Sequence, residues 1–347
     1  ATVHLDLNPE EVKIADFLTG SAYLMIETAL HSDIHQPAVI ESFAKKVGTL
    51  DKLNLLYLSS YAELRAVAPG TWTSWKKVLL SELYQRSHDY FKQPESLHSR
   101  SLTTWVEVYK ILHWEFPPEE LEFHFNNMAD EYLETVSAEE AALHMRLIRS
   151  LKDKSFIFNH SHHEERKYHQ VILCCPVKFE AFKILVGALT ARSINILGAK
   201  TYVRRDGIII ISLHIEETER LSRDNLEIWK NLNQDLRDVF EGHTDLPKLL
   251  AGRTRYVSEK KSTEAIMPKV KVDNISDPKH SIFRIEARDH LGMLYKISKV
   301  FADFGIQIHS SKISTQGGCG IDVFYVSHRD KKLIFDKLIR RIKERLI

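Results

Sequence analysis

The sequence predicts an α+β multidomain protein: an all-helical N-terminal region followed by two ferredoxin-like βαββαβ modules. Three observations predict it. Apolar residues recur at helical spacing through residues 1–155. After residue 169, short strands alternate with helices. That strand and helix pattern then repeats once at a fixed offset. The chain has 347 residues, 44% hydrophobic and 27% charged. That length fits two or three domains whose cores need no disulfide staples.

The helical region opens at Asn8-Pro9-Glu10-Glu11. A capping side chain, Pro at the first helical position and acids at the positive end of the dipole mark a helix start. Ile14, Phe17 and Leu18 continue it. Leu53, Leu56, Tyr57, Ser60, Tyr61 and Leu64 share one helical face, as do Trp72, Trp75, Leu79, Leu80 and Leu83. Pro117-Pro118 breaks the chain between helices. Ser137-Ala138-Glu139-Glu140 reads as a capping box for a helix through Leu151.

The character changes near residue 156. His160-Ser161-His162-His163-Glu164-Glu165-Arg166-Lys167 is polar and reads as a linker over 156–168. The first module, 169–276, has a strand from Gln170 to Pro176 and a helix from Phe179 to Ala191. A hairpin of Ile194–Val203 and Ile208–Ile215 turns at Asp206-Gly207. A helix over 222–241, a loop with Pro247 and Gly252, and a closing strand Val270–Asp273 follow. The second module, 277–347, repeats the order. Its strand is Ile282–Ala287 and its helix Leu291–Phe304. Strands Ile306–Thr315 and Ile321–Val326 join at Gln316-Gly317-Gly318, and a last helix covers 330–346. An offset of 112 residues pairs Val171 with Phe283, Leu185 with Ile297, and Lys200 with Lys312 without a gap. The second copy lacks a strand after its last helix. The sheet edge so left unpaired is expected to be covered by pairing between modules or subunits.

Charge and cysteine usage narrow the function. Lys plus Arg is 48 and Asp plus Glu is 47, a net charge of +1. That gives no global pull toward nucleic acid or an anionic membrane. The basic last helix, Lys331 to Arg345, carries an apolar face of its own and no interleaved aromatics on its later turns, as for a helix packed on a sheet. Cys174, Cys175 and Cys319 are the only cysteines, with no CxxC spacing, so a structural zinc site or disulfide framework is not expected. A cytoplasmic setting is expected, with no membrane span. The 18 histidines raise a metal question. For His160, His162 and His163, a polar linker is the better explanation, because no Cys or carboxylate lies at compact ligand spacing. No metal site is expected among them.

With Arg288-Asp289-His290-Leu291-Gly292-Met293-Leu294-Tyr295, Gln307-Ile308-His309-Ser310 and Asp322-Val323-Phe324-Tyr325-Val326, the second module resembles ACT domains. In the helical region, Tyr23-Leu24-Met25, Pro37-Ala38-Val39-Ile40, Thr71 to Lys76 and Leu79 to Tyr84 resemble the end of an HD domain. Together they resemble the C-terminal part of the bifunctional PII uridylyltransferase/uridylyl-removing family over nearly the whole chain. The resemblance implies a degenerate HD-like region over 1–155 and an ACT tandem that senses an amino acid, glutamine, for nitrogen regulation. It also implies PII as a partner, a homodimer through the ACT modules, and Mg2+ or Mn2+ in the parent family, with no cofactor expected in this chain. The family's nucleotidyltransferase motif is missing here.

Where that family has a His-His pair this chain has Ser21 and Ala22, and where it has a closing Asp this chain has Glu63. A hydroxyl, a methyl and one carboxylate do not replace the imidazole and carboxylate ligands of a metal-dependent phosphodiesterase. No catalytic residue is therefore expected here. The expected amino-acid site comprises Asp289, His290, Leu291, Gly292, Met293, Gln307 and Ile308. Gly292 opens a helix, where a small residue lets a carboxylate approach main-chain N–H groups. At the same offset the first module has Glu180, whose carboxylate would oppose that ligand end. Two alternatives remain open: a fragment of an active uridylyltransferase/uridylyl-removing enzyme, and a dimerisation scaffold without ligand.

Overall fold

A computed structural model describes residues 8–346 apart from 33, 35, 67–73, 94–95, 130–131, 133–134, 165, 177–179, 222–225, 254–267, 289–291, 317–318, 330 and 334–335. The chain divides into two compact units, 1–107 with 130–137, and 108–129 with 138–347. The expected helix start near Trp72 lies outside the described residues.

In the first unit, α1 (Pro9–Gly20), α2 (Leu24–His31), α3 (Pro37–Val47), α4 (Leu50–Ala66) and α5 (Ser74–Lys92) form a bundle; α6 (Ser96–Leu112) begins in the first unit and ends in the second. The capping box at α1 is present: Asn8 Oδ1 accepts from the Glu10 and Glu11 amides at 3.0 Å, and the Glu11 carboxylate accepts from the Asn8 amide at 2.8 Å. The bundle core holds Met25, Ile40, Phe43, Leu53, Leu56, Leu80 and Leu83. The rings of Tyr57 and Tyr84 of α4 and α5 meet tilted by 34° with centroids 4.6 Å apart, and Tyr84 donates to Asn54 at 2.9 Å.

The second unit contains α7 (Pro118–Asn126), α8 (Ala138–Leu151) and an eight-stranded antiparallel sheet with its helices. The strands are β1 (Ile157–His163), β2 (Tyr168–Pro176), β3 (Ile196–Arg204), β4 (Ile208–Glu216), β5 (Lys269–Asp273), β6 (Ser281–Arg288), β7 (Ile306–Gln316) and β8 (Cys319–His328). Between them lie α9 (Ala181–Ala191), α10 (Leu226–Phe240), α11 (Leu246–Arg253), α12 (Met293–Asp303) and, last, α13 (Asp336–Leu346). The sheet order is β1-β2-β4-β3-β7-β8-β6-β5.

Three expectations change here. Residues 157–163, read as linker, form β1, which pairs with β2 from Ile157↔Cys174 to His163↔Tyr168. Their polarity misled because β1 is an edge strand, where polar side chains are normal. Second, the strand at 269–273 does not close the first module. It pairs with β6, from Lys269↔Glu286 to Asp273↔Ile282. Each ferredoxin-like sheet thus takes its outer strand from in front of the repeat. The 112-residue offset extends to these strands: Phe158↔Leu173 in the first copy corresponds to Val270↔Ile285 in the second. The edge expected to lack a strand is therefore filled by β5, and the modules join elsewhere, through Gly198↔Lys312, Ala199↔Ser311 and Lys200↔Ser310 of β3 and β7. Third, the segment read as a loop around Pro247 and Gly252 is the helix α11. Pro is tolerated in a first helical turn, where its missing N–H has no intrahelical partner.

Burial along the strands shows which faces are covered. β2 is buried at every position except Pro176. Its residues Val171, Leu173 and Cys175 join the core with α9 and α10. On the opposite face Gln170 donates to the Glu140 carboxylate of α8 at 2.8 Å, so helices cover both sides. β6 instead alternates buried and half-buried positions, the pattern of a sheet with one covered face. Phe283, Phe301 and Phe324 form the centre of that second half, with rings edge-on at 5.4–5.5 Å.

Candidate functional site

The described residues of the expected site do not share one place. Asp289, His290 and Leu291 lie outside the described residues. Gly292 caps α12 with φ +89°, a left-handed conformation that favours glycine. A Cβ there would stand 3.2 Å from Thr190 Cγ2, near the end of α9. Met293 follows it, buried. Gln307 and Ile308 open β7. Both β6 and β7 run antiparallel to β8, so they are parallel to each other. Gly292 follows the end of β6, whereas Gln307 starts β7, which puts them at opposite ends of the sheet. The 11-residue helix α12 spans the gap, about 16 Å at 1.5 Å per residue.

Gln307 and Ile308 meet the first module instead. They line a cavity of about 30 Å3 together with Phe182 and Lys183 from the first turn of α9, and Thr201 from β3. Ser298 and Ala302 of α12 close it. This is the seam where β3 pairs with β7. Thr201 is 4% exposed, and its Oγ1 is buried without a hydrogen-bond partner. Lys183 is ion-paired with Glu180, the residue at the first module's glycine-equivalent position. A cavity of this size holds a water and not an amino acid. The Thr201 hydroxyl facing it can nevertheless receive a polar ligand if the seam opens.

Sequence reasoning missed Phe182, Lys183 and Thr201. The signal that finds them is the duplication itself. A duplicated module pairing through equivalent strands places the start of β7 beside the start of the other module's first helix.

A larger cleft of about 420 Å3 lies between α7, α8 and the β3–β4 turn. Its buried cation is already engaged. Arg204 donates to Asp206 at 2.8 and 2.5 Å, and its third arm lies 3.3 Å from His124 Nδ1. Burial, then Arg204, push His124 down to about 3, so it accepts from the guanidinium as a neutral imidazole. Burial also pushes the Cys174 thiol up, leaving it unreactive. Among the described residues, no helix is long and apolar enough to cross a membrane.

Comparison with known proteins adds the following. A family model described as "ACR9-like, ACT-like domain" matches residues 269–346, beginning at the first residue of β5. The chain is also similar over nearly its whole length to proteins named bifunctional uridylyltransferase/uridylyl-removing enzyme. The one from Rhodospirillum rubrum is 26% identical over 344 residues, covering 98% of this chain and 36% of the relative. That of Bradyrhizobium diazoefficiens is 24% identical over 327 residues, 93% and 35%. That of Azospirillum brasilense is 26% identical over 360 residues, 99% and 37%. The resemblance read from the motifs therefore runs along the whole chain, which itself spans little more than a third of the length of these relatives.

Proposed function

We propose, with the likeness to uridylyltransferase/uridylyl-removing enzymes as premise, that the tandem modules form a regulatory region that binds a small amino acid, glutamine, at their seam. The observation that carries this reading is the union of two modules in one sheet, with a small, largely apolar cavity holding the unpartnered Thr201 hydroxyl where β3 meets β7. The unpartnered Thr201 hydroxyl supplies a hydrogen-bond partner for a zwitterion. Because the cavity has room only for water, a bound amino acid favours a more open seam. Ligand thus shifts the population of seam arrangements, and any surface that differs between them reports the ligand to a partner such as PII.

Calorimetry with glutamine and the other amino acids tests this. Saturable heat is expected with glutamine, weakened at least about tenfold by Thr201→Val, which is ~1.4 kcal/mol. No heat from any amino acid at millimolar concentration would leave the scaffold reading, in which the modules only pair.

A second reading, a metal-dependent hydrolase, is favoured by the coverage of the relatives along 93–99% of this chain. We propose that the chemistry at the three corresponding positions does not fit it. Ser21 is the C-cap of α1, Ala22 follows it, and Glu63 lies in α4. One carboxylate with a hydroxyl and a methyl is a poor donor set for a divalent ion. Incubation of uridylylated PII with the chain and Mn2+ or Mg2+ is expected to release no UMP above a blank. Appreciable release would make the helical region catalytic.

A further inference from the structure

We infer that the histidines of β1 and β2 form a proton-operated latch, which holds the edge strand on the sheet while its imidazoles are neutral and releases it when they are charged. Strand alternation puts His160 and His162 on one face of β1, and His162 stands opposite His169 of β2. That face looks onto α10. The His160 ring stacks on Trp229 with centroids 3.8 Å apart and an interplanar angle of 17°, and His169 lies 5.4 Å from the same indole. His160 Nε2 and His169 Nδ1 are 3.0 Å apart. One nitrogen must donate and the other accept, so the bond survives one added proton and not two. The His162 and His169 rings are 4.5 Å apart.

The groups around the cluster offer little compensation. Beyond β4, Glu217 lies 3.2 Å from His162 and is the carboxylate that faces it. The main chain of Leu221 approaches His169. From α10 the cluster meets the Trp229 ring. On the other face of β1, His163 stacks on Tyr168 at 4.7 Å and lies 3.2 Å from Gln170 Oε1 and 3.4 Å from Ser161 Oγ. Tyr168 in turn meets His214 of β4, and Gln170 reaches Glu140 of α8. Among the described residues, one carboxylate therefore faces three imidazoles on the helix side.

Burial, then the neighbouring His169 and His162, hold His160 down at about 4. Burial and His162 move His169 in the same direction. A released strand would titrate near the ordinary imidazole value of about 6.5. The docked strand thus binds fewer protons than the released one between about pH 6.5 and 4. Its stability is intact above that window and falls as the pH drops through it. Since β1 is the outermost strand, its release bares the edge of β2 for pairing with another strand.

Amide exchange of residues 157–163 in the full chain, corrected for the intrinsic rate, tests the latch. Protection is expected to fall roughly tenfold or more between about pH 7.5 and pH 5, while that of β8 holds. In His160→Gln/His169→Gln, where the amides keep hydrogen-bonding capacity and do not titrate, the pH dependence is expected to vanish. If that variant does not fold, imidazole titration of the unaltered chain by NMR serves. His160 and His169 should then take up protons together with the loss of β1 protection. Unchanged protection through pH 5, an equal loss in the variant, or imidazole protonation without strand release would each overturn the latch.

Discussion

Replacing Phe301 by alanine will cost about 3–5 kcal/mol of stability, the usual range for emptying a fully buried aromatic site. Phe301 is 0% exposed. Its ring stands edge-on to Phe283 of β6 at 5.5 Å and to Phe324 of β8 at 5.4 Å, so one side chain ties α12 to two adjacent strands. Truncation removes the buried area and both ring contacts, and leaves a void between two large residues that cannot close around it. Against a typical domain stability of ~5–15 kcal/mol, the loss should show as a markedly lower urea midpoint for the sheet. Trp114→Ala is the control. That ring is 88% exposed, and its removal should stay within about 0.5 kcal/mol. Equal midpoints for the two variants would show that the phenylalanine trio is not the centre of the second half.

Arg192→Ala will destabilise the chain by about 3–5 kcal/mol for a different reason. Arg192 caps the end of α9, and its Nε donates to Asp235 Oδ2 of α10 at 2.6 Å. The side chains are 13% and 6% exposed. Truncating the arginine removes the Nε donor from a carboxylate that is 6% exposed. Arg192→Met with Asp235→Leu should recover most of the loss, because burying neither charge costs less than burying one alone. Urea unfolding of the single and double variants separates the two cases. A double variant no better than the single would mean that shape, not charge, sets the cost.

Much of this architecture was legible in the sequence. Asn8-Pro9-Glu10-Glu11 predicted the cap that forms, and the stretch Ile282–Ala287 predicted the strand that forms there. Local chemistry decides those features. The outer strands were hidden because β1 contains Asn159, His160, Ser161, His162 and His163, a composition shared by linkers and edge strands. Only the repeat distance, carried back from 269 to 157, distinguishes them. The candidate site was half legible. Gly292 stands out in the sequence as a small residue at a helix start, and it does cap α12, in a left-handed conformation. The grouping of Gly292 with Gln307 was not supported, because sequence proximity to one loop says nothing about which end of a sheet a strand begins from. Phe182, Lys183 and Thr201 carry no motif at all. They enter through the seam between β3 and β7, a contact set by three-dimensional symmetry.

The position of β5 ahead of its own repeat, like that of β1 ahead of the first, sets where each repeat unit begins: at Ile157 and at Lys269. Both copies then add to the chain as ready-edged tiles. A piece of the second copy excised from residue 277 would be cut out of phase, with the outer side of β6 stripped of its neighbour, whereas one begun at Lys269 keeps the tile whole.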